Sequence, residues 1–290
     1  MNPIDYKIRT GVAPYAMPEL PAIIGTDMAG EVITTGEGVT AFKAGDEVYG
    51  LTGGVRGLQG SLAQYAAVDA NLIALKPSNL SMREAAALPL VFLTAWEGLV
   101  NHAHVSQGHR VLVNGGAGGV GHMVVQLACA LGAEVFATAS GGKCERVRQL
   151  GATPINYREQ SVEQYVETCT DGKGFDIIYD TVGGDALSSV LGAVKHYGHI
   201  TSCGAFGEYD ITTSSLKSAT LSAVFVLLPM LSGERRSHHG EVLTTLTRLV
   251  EEGQVVPMVD NRHFTLDTAL EAHKAVEDGS ASIKIVIDVA

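Results

Sequence analysis

A strand-like run, Arg110-Val-Leu-Val-Asn114, leads directly into Gly115-Gly-Ala-Gly-Gly-Val-Gly121, and an apolar helical segment continues from there to Leu131. No other stretch of the chain restricts the fold so strongly. Gly116, Gly118 and Gly121 satisfy G-x-G-x-x-G: the first glycine permits a tight turn, the second lets a pyrophosphate approach the backbone, and the third packs helix against strand. The helix start adds free N–H groups and the positive end of a dipole. In a strand–turn–helix context the motif reads as a dinucleotide site, with Gly116, Ala117, Gly118, Gly119 and Val120 as cofactor-binding residues, rather than as a structural glycine turn.

The surrounding rhythm agrees. Strands are predicted at 110–114, 134–139, 153–157, 175–180 and 199–203, and helices at 119–131, 143–150, 161–169 and 185–194. This alternation implies right-handed crossovers and a parallel, doubly wound α/β sheet. The first third, up to about Leu93, differs: short Val-, Ile- and Ala-rich segments are broken closely by Gly and Pro, a β-rich pattern. Candidate strands there are Gly30–Gly36, Gly45–Gly50 and Gly60–Val68. Ser81-Met-Arg-Glu84 matches a capping box opening an alanine-rich helix, and Thr94–His102 continues as helix after Pro89. The tail is expected to form helices at 241–252 and 266–277 and a buried final strand, Ile283–Val289.

Composition excludes several classes. Lys and Arg total 20 against 31 Asp and Glu, a net charge of −11, which argues against a nucleic-acid-binding surface. Cys129, Cys144, Cys169 and Cys203 form no CxxC pair, so neither a disulfide framework nor a structural zinc cluster is signalled. No secretory or transit segment is read at the N-terminus. The longest apolar run, Ala219–Leu231, contains Pro229 and falls short of a membrane span of about 20 residues; it is expected to be a buried strand, or else part of a dimer interface and substrate tunnel. A cytoplasmic protein without membrane or nucleic-acid partners is the expectation.

The choice of dinucleotide turns on the end of the second strand, where an acidic residue binds the ribose of NAD. Here that strand ends Ala137-Thr-Ala-Ser140, with no Asp or Glu. Ser140, Lys143 and Tyr157 are instead placed to hold a 2′-phosphate, so NADPH is favoured.

Asn2-Pro-Ile-Asp-Tyr-Lys-Ile-Arg-Thr-Gly11, Gly25-Thr-Asp-Met-Ala-Gly30, Phe42-Lys-Ala-Gly-Asp46, the glycine loop, Tyr179-Asp-Thr-Val-Gly-Gly184 and Lys284-Ile-Val286 together resemble the medium-chain dehydrogenase/reductase superfamily along the whole chain. Within it, the likeness is to the zinc-independent quinone oxidoreductase branch that includes zeta-crystallin and the enone reductases. The resemblance implies a Rossmann NADP-binding domain, 94–228, inserted in a GroES-like β-rich catalytic domain, 1–93 and 229–290. It also implies hydride transfer from NADPH to a quinone or α,β-unsaturated carbonyl, usually in a homodimer. Related proteins carry several strands before the Asn2-Pro3 motif, so the N-terminal strands of the GroES-like domain are expected to be missing here.

Zinc-dependent members of the family place Cys where Asn2 stands and a His-Glu pair where Thr26-Asp27 stands, so no metal site is expected. Without a metal, the developing oxyanion needs donors or a cation, and Asn2, Tyr6 and Lys7 are the catalytic candidates. Lys7 takes a place often held by tyrosine in quinone reductases, which shifts weight toward enones; it is read as the oxyanion stabiliser, with Asn2 fixing nicotinamide or substrate. By family position Thr94, Cys203, Gly204 and Phe206 lie near the cofactor. Cys203 lacks a paired base and is read as a packed side chain, and Asp180 as a cap or turn residue. Two other readings stay open: an enoyl reductase acting on carrier-bound acyl chains, and a non-catalytic NADPH-binding structural or regulatory protein.

Overall fold

The computed structural model describes residues 1–281 and 283–289; residues 282 and 290, which fall within the expected catalytic domain, lie outside the described residues. In chain order the elements are α1 (Pro3–Arg9), β1 (Asp27–Glu31), β2 (Glu47–Leu51), β3 (Ile73–Leu75), α2 (Met82–Ala85), α3 (Pro89–Trp96), β4 (Arg110–Asn114), α4 (Gly121–Ala130), β5 (Glu134–Ala139), α5 (Cys144–Gln149) and β6 (Thr153–Asn156). They continue with α6 (Val162–Thr170), β7 (Phe175–Asp180), α7 (Gly184–Val190), β8 (Val194–Ser202), α8 (Thr212–Ser215), β9 (Thr220–Ala223), α9 (Leu228–Ser232), α10 (Arg236–Glu251), β10 (Phe264–Thr265), α11 (Ala269–Glu277) and β11 (Ile287–Asp288). The chain forms two compact units, one from Met1–Leu93 with Val226–Ala290, the other from Thr94–Phe225.

The second unit is a six-stranded sheet in the order β6-β5-β4-β7-β8-β9, parallel throughout. Its strands read as continuous apolar runs because helices cover both faces. Leu112, Phe136, Ile155, Phe175 and Ile178 form its buried core with Tyr165 of α6, and the Phe136 and Phe175 rings meet edge to face at 5.5 Å. The strand order reverses between β4 and β7, the crevice in which doubly wound sheets bind ligands at their carboxyl ends.

The first unit holds an antiparallel sheet, β1-β2-β3, with α10 packed on it: the Tyr49 hydroxyl donates to the Leu243 carbonyl at 2.8 Å and the Thr247 hydroxyl to the Leu75 carbonyl at 2.8 Å. The capping box at α2 forms as read, with the Ser81 and Glu84 side chains each serving the other's backbone N–H.

Three sequence expectations are corrected. Gly60–Val68 is not a strand; only its first residues pair, Gly60, Ser61 and Leu62 donating to the carbonyls of Ile23, Gly25 and Ile24, and the segment then leaves as loop. Ala219–Leu231 is not one buried strand but the edge strand β9 followed by α9, with Pro229 tolerated in the first helical turn. Of Ile283–Val289, only Ile287–Asp288 joins a sheet, parallel to Phe264–Thr265, because Lys284 pairs through a single bridge to Val259 and buries its side chain.

Candidate active site

Four buried polar residues stand side by side at the carboxyl ends of β4, β5, β7 and β8. Register places Asn114 beside Asp180, and Asp180 beside Ser202. The Asn114 amide donates to Asp180 at 2.8 Å and to the Ala186 carbonyl at 3.1 Å, while its oxygen accepts from the Thr138 hydroxyl at 2.8 Å. Asp180, fully buried, also accepts from the Ser202 hydroxyl at 2.7 Å and from the backbone N–H groups of Gly183 at 3.0 Å and Val182 at 3.3 Å. A desolvated carboxylate is tolerated only with such a set of donors.

This row of side chains fixes three loops. Gly115 donates to the Thr138 hydroxyl and Gly116 to the Thr138 carbonyl. The loop after β7 hangs on Asp180, and Gly204 donates to the Ser202 hydroxyl at 3.0 Å. The last two loops touch glycine to glycine: a Cβ on Gly183 would lie 2.2 Å from the Gly204 carbonyl oxygen.

Within the glycine loop the roles divide differently from the simple motif. The positive φ of the turn, +85°, falls on Gly115 and not on Gly116, which sits against Ala137 of β5. Gly121 is the close-packing glycine, since a Cβ there would approach the Gly115 carbonyl oxygen to 2.1 Å. Gly118 is exposed and its nearest neighbour to a Cβ is 3.4 Å away, leaving room above the backbone. Ala117 is buried; Gly119 and Val120 are partly exposed at the start of α4.

At the neighbouring strand ends, Ala139 pairs with Asn156, which brings Ser140 and Tyr157 next to each other. Lys143 is exposed in the helical turn after Ser140, its N–H bonded to the Ser140 carbonyl at 2.7 Å. Tyr157 is 53% exposed and carries the Arg158 guanidinium 5.9 Å above its ring. Arg158 was not among the sequence candidates, although a cation directly after Tyr157 was visible.

Thr94 is buried in the second unit and its carbonyl accepts from the Tyr179 hydroxyl at 2.5 Å. Phe206 is 65% exposed on the loop after β8. Burial, reinforced by the Asp180 charge, pushes the Cys203 thiol up to about 12, so it keeps its proton at neutral pH and is no nucleophile.

Asn2, Tyr6 and Lys7 lie in the first unit. Asn2 caps α1 in a capping box with Asp5, and Tyr6 and Lys7 stand partly exposed on that helix. Asn2 is 1% exposed. Its amide donates to Asp27 at 2.7 Å and to Thr26 at 3.0 Å, and its oxygen accepts from the Lys284 ammonium. Thr26 in turn donates to Asp5 at 3.0 Å. Lys284 had no assigned role at the sequence level.

Two family models match this chain: an alcohol dehydrogenase GroES-like domain over residues 1–78 and a zinc-binding dehydrogenase over residues 119–234. The 2-methylene-furan-3-one reductase of Solanum lycopersicum is 37% identical over 298 residues, a match spanning 99% of this chain and 69% of that protein. The chloroplastic NADPH-dependent alkenal/one oxidoreductase of Arabidopsis thaliana is 34% identical over 297 residues, spanning 99% of this chain and 69% of that protein. Among solved structures, an alcohol dehydrogenase superfamily protein from Novosphingobium aromaticivorans superposes with a TM-score of 0.93 at 50% identity, covering 96% of this chain and 84% of that one.

The residues that the family resemblance sets where zinc-dependent members carry ligands do not suit that metal. Asn2, Thr26, Asp27 and Asp5 present amide, hydroxyl and carboxylate oxygens, with neither thiolate nor imidazole, and a lysine ammonium already stands among them. Among the described residues no group of three or more His, Cys, Asp or Glu side chains is arranged to hold a metal ion.

Proposed function

The chain belongs to the medium-chain dehydrogenase/reductase superfamily, and on that premise we propose that it is an NADPH-dependent reductase that transfers a hydride to an α,β-unsaturated carbonyl or a quinone without zinc. The observation that carries the reading is the glycine loop held open at Gly118 beside strand ends that bear Ser140, Lys143, Tyr157 and Arg158, with no acidic residue at the end of β5. The relatives named for alkenal/one and furanone reduction supply the substrate class.

When bound, NADPH supplies the hydride. The backbone of Gly116–Val120 and the start of α4 take the pyrophosphate, and the Lys143 and Arg158 cations with the hydroxyls of Ser140 and Tyr157 take the 2′-phosphate. Thr94, Cys203, Gly204 and Phe206 line the path of the nicotinamide. As hydride reaches the β-carbon of an enone, negative charge gathers on the carbonyl oxygen; the Lys7 ammonium stabilises it, with the Tyr6 hydroxyl as a second donor. Asn2, whose amide protons both have internal partners, positions α1 rather than touching the substrate. The working form in this reading is a cytoplasmic homodimer, and the four free cysteines fit a reducing compartment.

NADPH oxidation across a panel of 1,4-quinones, 2-alkenals and enoyl thioesters tests the reading. Turnover of alkenals or quinones is expected; tight NADPH binding without turnover of any acceptor overturns it. Lys143→Glu should raise the KM for NADPH about tenfold or more while leaving that for NADH within about twofold, and equal effects on both cofactors remove the 2′-phosphate assignment.

A further inference from the structure

The cluster at the start of the chain is built around a buried cation. Lys284 is 4% exposed, and its ammonium donates to the Asn2 side-chain oxygen, to the Met1 carbonyl at 3.0 Å and to Asp27 at 3.3 Å. Around it, Asn2, Asp5 and Thr26 are each 1% exposed, and Asp27 takes the backbone N–H of Leu90 at 2.9 Å on its other oxygen. A lysine is almost never buried this far without anionic partners. Its backbone is fixed independently, by the bridge to Val259 and by the Asp260 N–H donating to its carbonyl at 2.8 Å.

What this cation holds is α1. A seven-residue helix has no stability of its own, because nucleation is barely repaid at that length. Its outer end is tied to α11 by the Arg9–Glu277 ion pair at 2.5 Å, partly exposed and therefore weak. Its inner end is tied by the Asn2 cap, and the orientation of that cap is dictated by Lys284 on one face of the amide and Asp27 on the other.

We propose that the Lys284 ammonium is the built-in cation of this cluster and a positioning residue for the reaction: by clamping the Asn2 amide against the Asp27 carboxylate it sets the pose of α1, and with it Tyr6 and Lys7. The inference rests on the reading of Lys7 as the oxyanion donor. It also accounts for the mismatch with zinc, since the ammonium stands where a divalent ion would need these same oxygens.

The test uses Lys284→Met in the full chain, with amide exchange followed peptide by peptide. Exchange over α1 is expected to rise about tenfold while exchange over α4 stays within about twofold. Enone turnover should fall about tenfold with the KM for NADPH within about threefold, and Lys284→Met/Lys7→Ala should be no slower than Lys7→Ala alone. Unchanged exchange over α1 overturns the proposal whatever happens to activity. A double variant markedly slower than Lys7→Ala overturns the route through Lys7. If Lys7→Ala itself keeps full turnover, the oxyanion reading fails, and α1 exchange still decides the role of Lys284. Should Lys284→Met not fold, Asp27→Asn removes the anionic half of the clamp with little change in shape and gives the same exchange readout.

Discussion

Asp180 shows how far a single side chain can reach. One buried carboxylate receives an amide, a hydroxyl and two backbone N–H groups, and through them sets the loops after β4, β7 and β8. Asp180→Asn keeps the shape but cannot accept from all four: its own amide protons would face donors. Leaving a buried donor unsatisfied costs about 1–3 kcal/mol, so NADPH affinity is expected to fall about tenfold, with kcat within about threefold because the lost order affects binding before chemistry. Asn114→Asp/Asp180→Asn restores a donor–acceptor match between the two strands and should recover part of the affinity. Equilibrium titration with NADPH beside steady-state kinetics checks both, and a double variant weaker than Asp180→Asn would show that the strand-end row is not a linked unit. None of this was legible at the sequence level beyond a cap or turn role, because Asn114 and Asp180 are 66 positions apart and meet only through sheet register. Lys284 and Asn2, 282 positions apart, were hidden for the same reason.

At the scale of the element, the glycine loop separates backbone roles that the motif alone merges. Gly121→Ala must push a methyl into the Gly115 carbonyl, where the approach would be 2.1 Å, so helix and strand must part. Overpacking of this kind costs about 1–3 kcal/mol or more, and both thermal stability and cofactor affinity should drop. Gly118→Ala meets nothing closer than 3.4 Å within the protein, so stability should hold within about 0.5 kcal/mol while NADPH affinity falls if, as proposed, this space takes the phosphate. Thermal unfolding with and without NADPH distinguishes the two; equal loss of stability in both variants contradicts the assignment. Periodicity served well in this region: β4, β5 and β7 begin and end at the expected residues, since buried parallel strands are continuous apolar runs bounded by turns. It served poorly around Gly60–Val68, where Gln64–Ala67 run as exposed loop, and around Ile283–Val289, which is held by long-range bridges that leave no local period to read.

For the whole molecule, buried histidines decide how the fold responds to acid. His239 is 2% exposed in α10 with neither ring nitrogen bonded, and burial, reinforced by the neighbouring His238, pulls its imidazole down to about 4 from an ordinary 6.5. His273 in α11 is lowered in the same way, first by burial. A native state that refuses a proton the unfolded chain accepts loses stability as pH falls, so the His239 contribution is complete above about pH 6.5 and drains away toward about pH 4, at no more than about 1.4 kcal/mol per unit, and that of His273 is lost in the same direction. Carboxyls held below their usual range act later: Glu84, bonded by the Ser81 hydroxyl and N–H, and Glu251, bonded by the Ser78 N–H and hydroxyl, give up their stabilisation only below about pH 4.5. Urea unfolding at several pH values should therefore show a plateau near neutrality, a decline beginning near pH 6.5, and a second loss below about pH 4.5. His239→Leu removes the titrating group and two unpartnered polar atoms at once; it should leave stability at neutral pH equal or higher and flatten the upper decline, while the loss below about pH 4.5 persists. An acid slope unchanged in His239→Leu would assign the upper decline to other groups.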